Sequence, residues 1–153
     1  MNRDTEITVL IVAYDREEFL FRAVESVLSQ TFDLTKVEII VLTNLHSIEL
    51  PPIDERVKLQ KIILGEGKIG EYILKGITIA NGRIICFLDD DDLFEPHKLT
   101  TVYRVFSKIP DLGYYRNRDS LIDKHEHLIS KEKGKECLIT ESNKFSLKWQ
   151  TGC

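Results

Sequence analysis

Arg83-Ile84-Ile85-Cys86-Phe87-Leu88, followed at once by Asp89-Asp90-Asp91-Asp92, is the stretch from which the fold of this chain is read. The run from Arg83 to Leu88 is apolar after its first residue and has the length of a strand buried in a sheet. Carboxylates crowded at its carboxyl end repel one another, and a folded protein tolerates them only in water or around a cation. Hard divalent cations with oxygen ligands, Mg2+ or Mn2+, suit such a cluster and commonly bridge carboxylates to diphosphate oxygens. A solvated acidic turn is the plainer account of a charge run. Its place between a buried strand and a helix favours the cation.

Upstream, Ile69, Ile73, Ile77 and Ala80 recur at helical spacing and mark one expected face of a helix that Gly82 would close. A looser strand is expected from Val57 to Leu64, and a compact apolar one from Val37 to Leu42, ending in Thr43-Asn44. Ile7 to Ala13 is a near-continuous β-branched run, as in a parallel strand covered on both faces. Asp15 with Glu18 three residues on has the form of a capping box, and Phe19, Ala23, Val24, Val27 and Leu28 give the following helix its apolar stripe. Downstream, Glu95-Pro96 opens a helix with the stripe Leu99, Val102, Val105, Phe106 and Ile109. Strands alternating with helices imply an open, mostly parallel α/β sheet flanked by helices.

The pattern changes after Pro110. Leu112–Asn117 and Leu121–Asp123 read as short strands, Lys124-His125-Glu126-His127 as a polar turn, and the chain beyond Leu128-Ile129 as loop-like. It stops at Thr151-Gly152-Cys153 without a closing element, which reads as a domain cut before its natural end. The expected organisation is a βα core over residues 1–110 and the start of a second region over 111–153.

Composition narrows the partners. The 153 residues hold 42% hydrophobic and 30% charged side chains with a net charge of -4, and no basic stripe that would suit nucleic acid. Cys86, Cys137 and Cys153 form neither a disulfide framework nor a zinc spacing, which favours a reducing, cytoplasmic setting. No apolar run approaches membrane-spanning length.

In open parallel sheets, ligands bind outside the carboxyl ends of the strands. Those ends are here Ala13-Tyr14-Asp15, Thr43-Asn44 and Asp89 to Asp92. Ile7–Leu20, then Ala23 to Thr31 with Ser26 and Gln30-Thr31, resembles the opening of family 2 glycosyltransferases. Ala80 to Leu99 is similar to that family's Asp-X-Asp strand and the helix after it, so the likeness spans roughly Glu6 to Pro110. It implies a GT-A (Rossmann-like) fold and inverting, metal-dependent sugar transfer from a nucleoside-diphosphate sugar to an acceptor hydroxyl on a sugar, lipid-linked sugar or protein. It also implies that Tyr14 and Asp15 line the nucleobase pocket. Asp89 and Asp91 would serve ribose, diphosphate and metal, with Asp91 the leading metal ligand, and Ala13, Thr43 and Asp90 would complete the donor site.

The chain departs from that family at three places. Thr43-Asn44 stands where paired aspartates are usual, and an amide, both donor and acceptor, can still meet a base. Ile73-Leu74 stands before Gly76 where Arg-Asn is frequent. No carboxylate matches the catalytic base, which is expected beyond Cys153. A binding module without chemistry is therefore a rival reading.

Gly65-Glu66-Gly67-Lys68-Ile69-Gly70 is also a literal G-x-G-x-x-G, with Asp89 about twenty residues on, the form of an NAD(P) fingerprint. Four acids would repel a dinucleotide's phosphates, and Glu71 sits where a pyrophosphate needs a positive helix end. The loop is better read as passing close to the nucleotide sugar, with Lys68 near phosphate and Gly70 beside it. His125-Glu126-His127 is half a metal site at most. Trp149 is a candidate for stacking on an acceptor, and Tyr114 and Tyr115 lie on a strand with no assigned role.

Overall fold

A computed structural model describes residues 4–15, 17–55, 57–125, 127–131 and 137–139. Two compact units divide the chain, Met1–Tyr103 and Arg104–Cys153, the division falling within a helix.

The first unit holds β1 (Ile7–Ala13), α1 (Leu20–Leu28), a single 3-10 turn (Leu34–Lys36), β2 (Val37–Thr43), β3 (Lys58–Ile63), α2 (Ile69–Ile79) and β4 (Ile84–Asp89). Its strands are all parallel, in the order β3-β2-β1-β4. β1 and β2 are buried at every position, as their β-branched runs require of strands covered on both faces. On one face Leu10, Val12, Ile40 and Leu42 pack with Tyr72 of α2.

Four local expectations are corrected. α2 buries its expected face only in part: Ile73 and Ala80 pack against the core beside the buried Tyr72 and Gly76, while Ile69 is 61% and Ile77 43% exposed. The cause is steric, because a Cβ on Gly76 would lie 2.3 Å from Leu10 Cδ1 and 2.8 Å from Leu42 Cδ1, so the glycine stripe is the one that approaches the sheet. Gly82 does not close α2, which ends at Ile79 with Ala80 as its cap. It lies instead where a Cβ would meet the Thr8 backbone nitrogen at 2.4 Å. Asp15 does not cap α1, whose N-cap is Phe19 with no side-chain hydrogen bond. β4 also differs from a fully buried strand. Ile84, Cys86 and Leu88 face inward, but Phe87 is 54% exposed, as alternation dictates for the outer strand of the sheet.

α3 (Lys98–Lys108) follows the aspartates and buries Leu99 and Val102. In the second unit, β5 (Tyr114–Arg116) falls within the first short strand expected there, and β6 (Ser120–Ile122) overlaps the second, beginning and ending one residue earlier. β6 and β7 (Leu128–Lys131) form an antiparallel hairpin. The segment expected to be loop-like contains β8 (Cys137–Ile139), which pairs antiparallel with β5. No helix among the described residues is long and apolar enough to cross a membrane.

Candidate functional site

The chain builds β1, β2 and β3 outward in one direction, then returns through α2 to place β4 on the other side of β1. The reversal opens a crevice between the carboxyl ends of β1 and β4, where sheets of this kind receive ligands. Register fixes the level: Ala13 is opposite Thr43, and Val12 is opposite Asp89. Ala13, Tyr14, Asp15, Thr43, Asn44 and the aspartate run are therefore brought to one edge.

Within that edge the side chains differ in availability. Ala13 and Thr43 are buried, and Thr43 Oγ1 accepts the Leu45 N–H at 3.0 Å, which turns the chain out of β2. Asp90 is buried at 5% exposure, while Asp89, Asp91 and Asp92 are exposed. The Asp92 N–H donates to the Asp89 carbonyl at 3.2 Å and closes the run into a turn.

Asp15 and Asn44 form a reciprocal pair. The Asp15 backbone N–H donates to Asn44 Oδ1 at 3.0 Å, and Asn44 Nδ2 donates to Asp15 Oδ1. Asp15 has φ 60, a left-handed conformation that a non-glycine residue keeps only when something holds it. Asn44 is that holder. The amide read from sequence as a contact for a base meets Asp15 and keeps a second N–H, and the carboxylate read as a helix cap meets Asn44 and keeps a second oxygen.

Tyr14 meets Tyr72 edge to face, ring centroids 5.6 Å apart. The Tyr72 hydroxyl donates to the Gly65 carbonyl at 2.7 Å, tying the glycine loop to the floor beneath Tyr14. Burial raises the Tyr72 hydroxyl pKa, and Tyr14 and Asp15 add to the rise. Lys68 and Gly70 are exposed at the start of α2, which follows β3, so β2 separates them from β1. Tyr72, on the same helix, reaches Tyr14 at the crevice. That placement also disposes of the dinucleotide reading, whose loop must follow the strand at the switch point rather than an outer one. Glu71 takes the helix start as well, accepting the Lys68 N–H at 3.4 Å.

Sequence reasoning gave no role to the latch beside the aspartate turn. Ser26 of α1 and Gln30, two residues past its end, reach Phe94, Glu95 and Leu99. Its signals were two polar residues spaced four apart beside an apolar helix face, and their place in the stretch that resembles the family's opening. It missed Glu38 too, a buried carboxylate near the start of β2, away from the site edge.

No three His, Cys, Asp or Glu side chains among the described residues converge as a metal-binding group. Asp89 and Asp91 nevertheless fit a Mg2+ or Mn2+ that is shared with substrate, because such ions take one or two carboxylates and fill the rest with phosphate oxygens and water. His125 and His127 do not build a half-site. Asp123 accepts the N–H groups of His125 and His127 at 2.8 and 2.9 Å and orders the hairpin tip, and these bonds hold its carboxyl below the usual range. Cys86 is a packed thiol in β4. Tyr114 and Tyr115 lie on β5; Trp149, Cys153 and Glu126 fall outside the described residues.

The model of glycosyl transferase family 2 matches residues 8–149. The chain belongs to that family. Among the family's relatives, an uncharacterised glycosyltransferase of Nostoc sp. is 29% identical over 130 residues, covering 81% of this chain and 39% of its own length. The Escherichia coli UDP-Glc:alpha-D-GlcNAc-diphosphoundecaprenol beta-1,3-glucosyltransferase WfaP is 30% identical over 102 residues, 61% of this chain and 38% of that protein. The chain thus spans about two fifths of the length of these relatives. Of solved structures, Staphylococcus aureus TarS 1-349 with UDP-GlcNAc superposes with TM-score 0.59 at 18% identity, over 71% of this chain and 33% of that one. A Pyrobaculum calidifontis mannosyltransferase with GDP-Man and Mn2+ gives 0.52 at 16%, over 65% and 31%. At such identities the likeness shows the fold: a GT-A sheet.

Proposed function

We propose that this family 2 chain holds the donor in a metal-dependent, inverting transfer of a sugar from a nucleoside-diphosphate sugar to an acceptor hydroxyl. The observation that carries the reading is the gathering of Tyr14-Asp15 and Asp89–Asp91 on either side of one switch-point crevice. The nucleotide sugars present in the S. aureus and P. calidifontis structures support the same donor class.

Tyr14 offers a flat face and Asp15 an acceptor to the nucleoside, with Asn44 keeping Asp15 in its left-handed pose. Asp89 and Asp91 hold the metal and diphosphate, Lys68 and Gly70 border the sugar side, and Asp90 braces the turn from within. A bound Mg2+ or Mn2+ supplies charge neutralisation to the leaving nucleoside diphosphate. In the transfer the acceptor oxygen bonds to the anomeric carbon as the bond to diphosphate breaks, and a carboxylate base takes the hydroxyl proton. Residues 1–110 serve the donor, and 111–153 begin the acceptor side. The scattered cysteines favour a cytoplasmic setting.

Calorimetric titration with UDP and with GDP, each with and without Mn2+, tests the donor site. The expected result is binding strengthened by Mn2+ and lost in Asp91→Asn; no metal-dependent binding of either nucleotide overturns the reading. The chain's short span beside its relatives favours one rival, a donor-binding portion without chemistry of its own. A donor-hydrolysis assay on the same chain separates the two.

A further inference from the structure

The turn Asp89–Asp92 leaves a strand and re-enters regular structure only at Lys98, yet it must hold two carboxylates at a fixed separation if they are to share an ion. Its partners lie on α1 and in the residues directly after it. Ser26 Oγ accepts the Phe94 N–H at 3.1 Å, two residues beyond Asp92. Gln30, 7% exposed, uses both ends of its amide: Nε2 donates to the Glu95 carbonyl at 2.8 Å and to the Ser26 carbonyl at 3.0 Å. Its Oε1 accepts the Leu99 N–H at 2.9 Å, one of the first-turn donors of α3 that has no partner within the helix. Thr31 extends the seam, its N–H donating to the Pro96 carbonyl at 2.9 Å and its hydroxyl lying 2.9 Å from His97 Nδ1.

A residue that only capped α3 would need an acceptor alone. A residue that only filled the core would be apolar. Gln30 grips the chain on both sides of Pro96 while anchored to α1, and Ser26 grips it next to the aspartates.

We propose that Gln30, with Ser26, is a positioning residue for the aspartate turn, setting the pose in which Asp89 and Asp91 share the metal and diphosphate. This rests on the donor-site reading above. In Gln30→Leu the Mn2+-dependent gain in UDP or GDP affinity falls about tenfold or more, since small misplacements of a preorganised site are costly. Metal-free nucleotide binding stays within about twofold, because the nucleoside end does not use the latch. Ser26→Ala shows the same selectivity at smaller size. Val27→Ala, a core truncation on the same helix, lowers the melting temperature but keeps the Mn2+ gain. If Gln30→Leu does not fold, Gln30→Glu keeps the acceptor for Leu99 and removes the donor toward Glu95.

Hydrogen exchange gives a readout free of ligand: Leu99 and Phe94 amides exchange faster in Gln30→Leu than in Val27→Ala. A full Mn2+ gain in Gln30→Leu, or losses with and without metal that match Val27→Ala, overturns the proposal. Unaltered exchange overturns it alone. Absence of a Mn2+ gain in the wild type removes the donor-site reading, and the positioning role with it.

Discussion

Asn44 does something at the site that a carboxylate could not. Its amide presents an acceptor to the Asp15 N–H and a donor to the Asp15 carboxylate. An aspartate in its place would keep the first bond and set two carboxylates face to face. Asn44→Asp is therefore expected to cost about 1–3 kcal/mol of stability and to weaken nucleotide binding about tenfold. The double exchange Asp15→Asn with Asn44→Asp keeps the bond from the backbone N–H of position 15 and rebuilds the side-chain bond with donor and acceptor reversed. Thermal melting of the four species forms a cycle in which the double variant regains stability lost by Asn44→Asp. If it does not, the pair is incidental. Nucleotide titration of the double variant asks separately whether position 15 must carry the charge.

Cys86 is the other residue whose surroundings fix its chemistry. Burial pushes its thiol from 9.0 up to about 11, with Lys98 opposing weakly. The folded state therefore holds the thiol proton more tightly than the unfolded chain. Its contribution is fully present below pH 9 and is lost as pH rises through about 11, on the order of 2–3 kcal/mol in all. The urea midpoint should fall between these limits more steeply in the wild type than in Cys86→Ala, even though the variant starts lower. At neutral pH the native thiol should resist alkylation that the unfolded chain accepts. Parallel pH profiles for the two proteins would dismiss this account.

At the scale of elements, the glycines sort by what a methyl would meet. Gly76→Ala drives a Cβ into Leu10 and Leu42, flexible tips that can yield, and should cost about 1–3 kcal/mol. Gly82→Ala meets the Thr8 backbone, which cannot, and should cost more. Gly70→Ala meets nothing within 4 Å and sits in the first turn of α2, so it should be neutral or stabilise by up to about 1 kcal/mol. Chemical denaturation ranks the three. A Gly70→Ala variant that unfolds the protein would contradict the packing described for α2.

The same comparison shows what a sequence displays and what it hides. Strands β1 and β2 were legible because burial on both faces leaves an unbroken apolar run, and the position of the aspartates followed from parallel order. The buried face of α2 was legible only in part. Ile69, Ile73 and Ile77 repeat at helical spacing, but the packed stripe runs through Tyr72, Ile73, Gly76, Ile79 and Ala80, and its glycine carries no apolar signal although it is the residue that lets the helix approach the sheet. β8 was hidden because three residues carry no usable period. The Asp15–Asn44 pair joins positions 29 residues apart, and local pattern assigns Asp15 to the nearest helix instead.

For the molecule as a whole, stability and the proposed donor site occupy opposite ends of the first unit's sheet. At the end away from the crevice, the buried Glu38 carboxylate accepts from Thr8 Oγ1 at 2.8 Å and from Asn81 N and Nδ2 at 2.9 and 2.8 Å, with Gln60 Nε2 at 3.4 Å. Glu38 thus joins β1, β2, β3 and the loop before β4 through one acceptor-only group. Glu38→Gln turns an amide donor toward partners that are themselves donors, leaving buried hydrogens opposed, and should cost about 2–4 kcal/mol. At the other end Asp91 is exposed, and an exposed substitution shifts stability by no more than about 0.5 kcal/mol, so Asp91→Asn should leave the apo protein nearly unchanged. Ligand-linked melting distinguishes the two ends, because a ligand that binds only the folded state raises stability by an amount set by its affinity alone. Glu38→Gln should lower the apo melting temperature and keep the wild-type stabilisation by Mn2+ with UDP or GDP. Asp91→Asn should hold the apo value and lose that stabilisation. Were Glu38→Gln to lose the ligand increment while still folded, the sheet would be coupling its two ends, and Glu38 would belong to the function rather than to the frame.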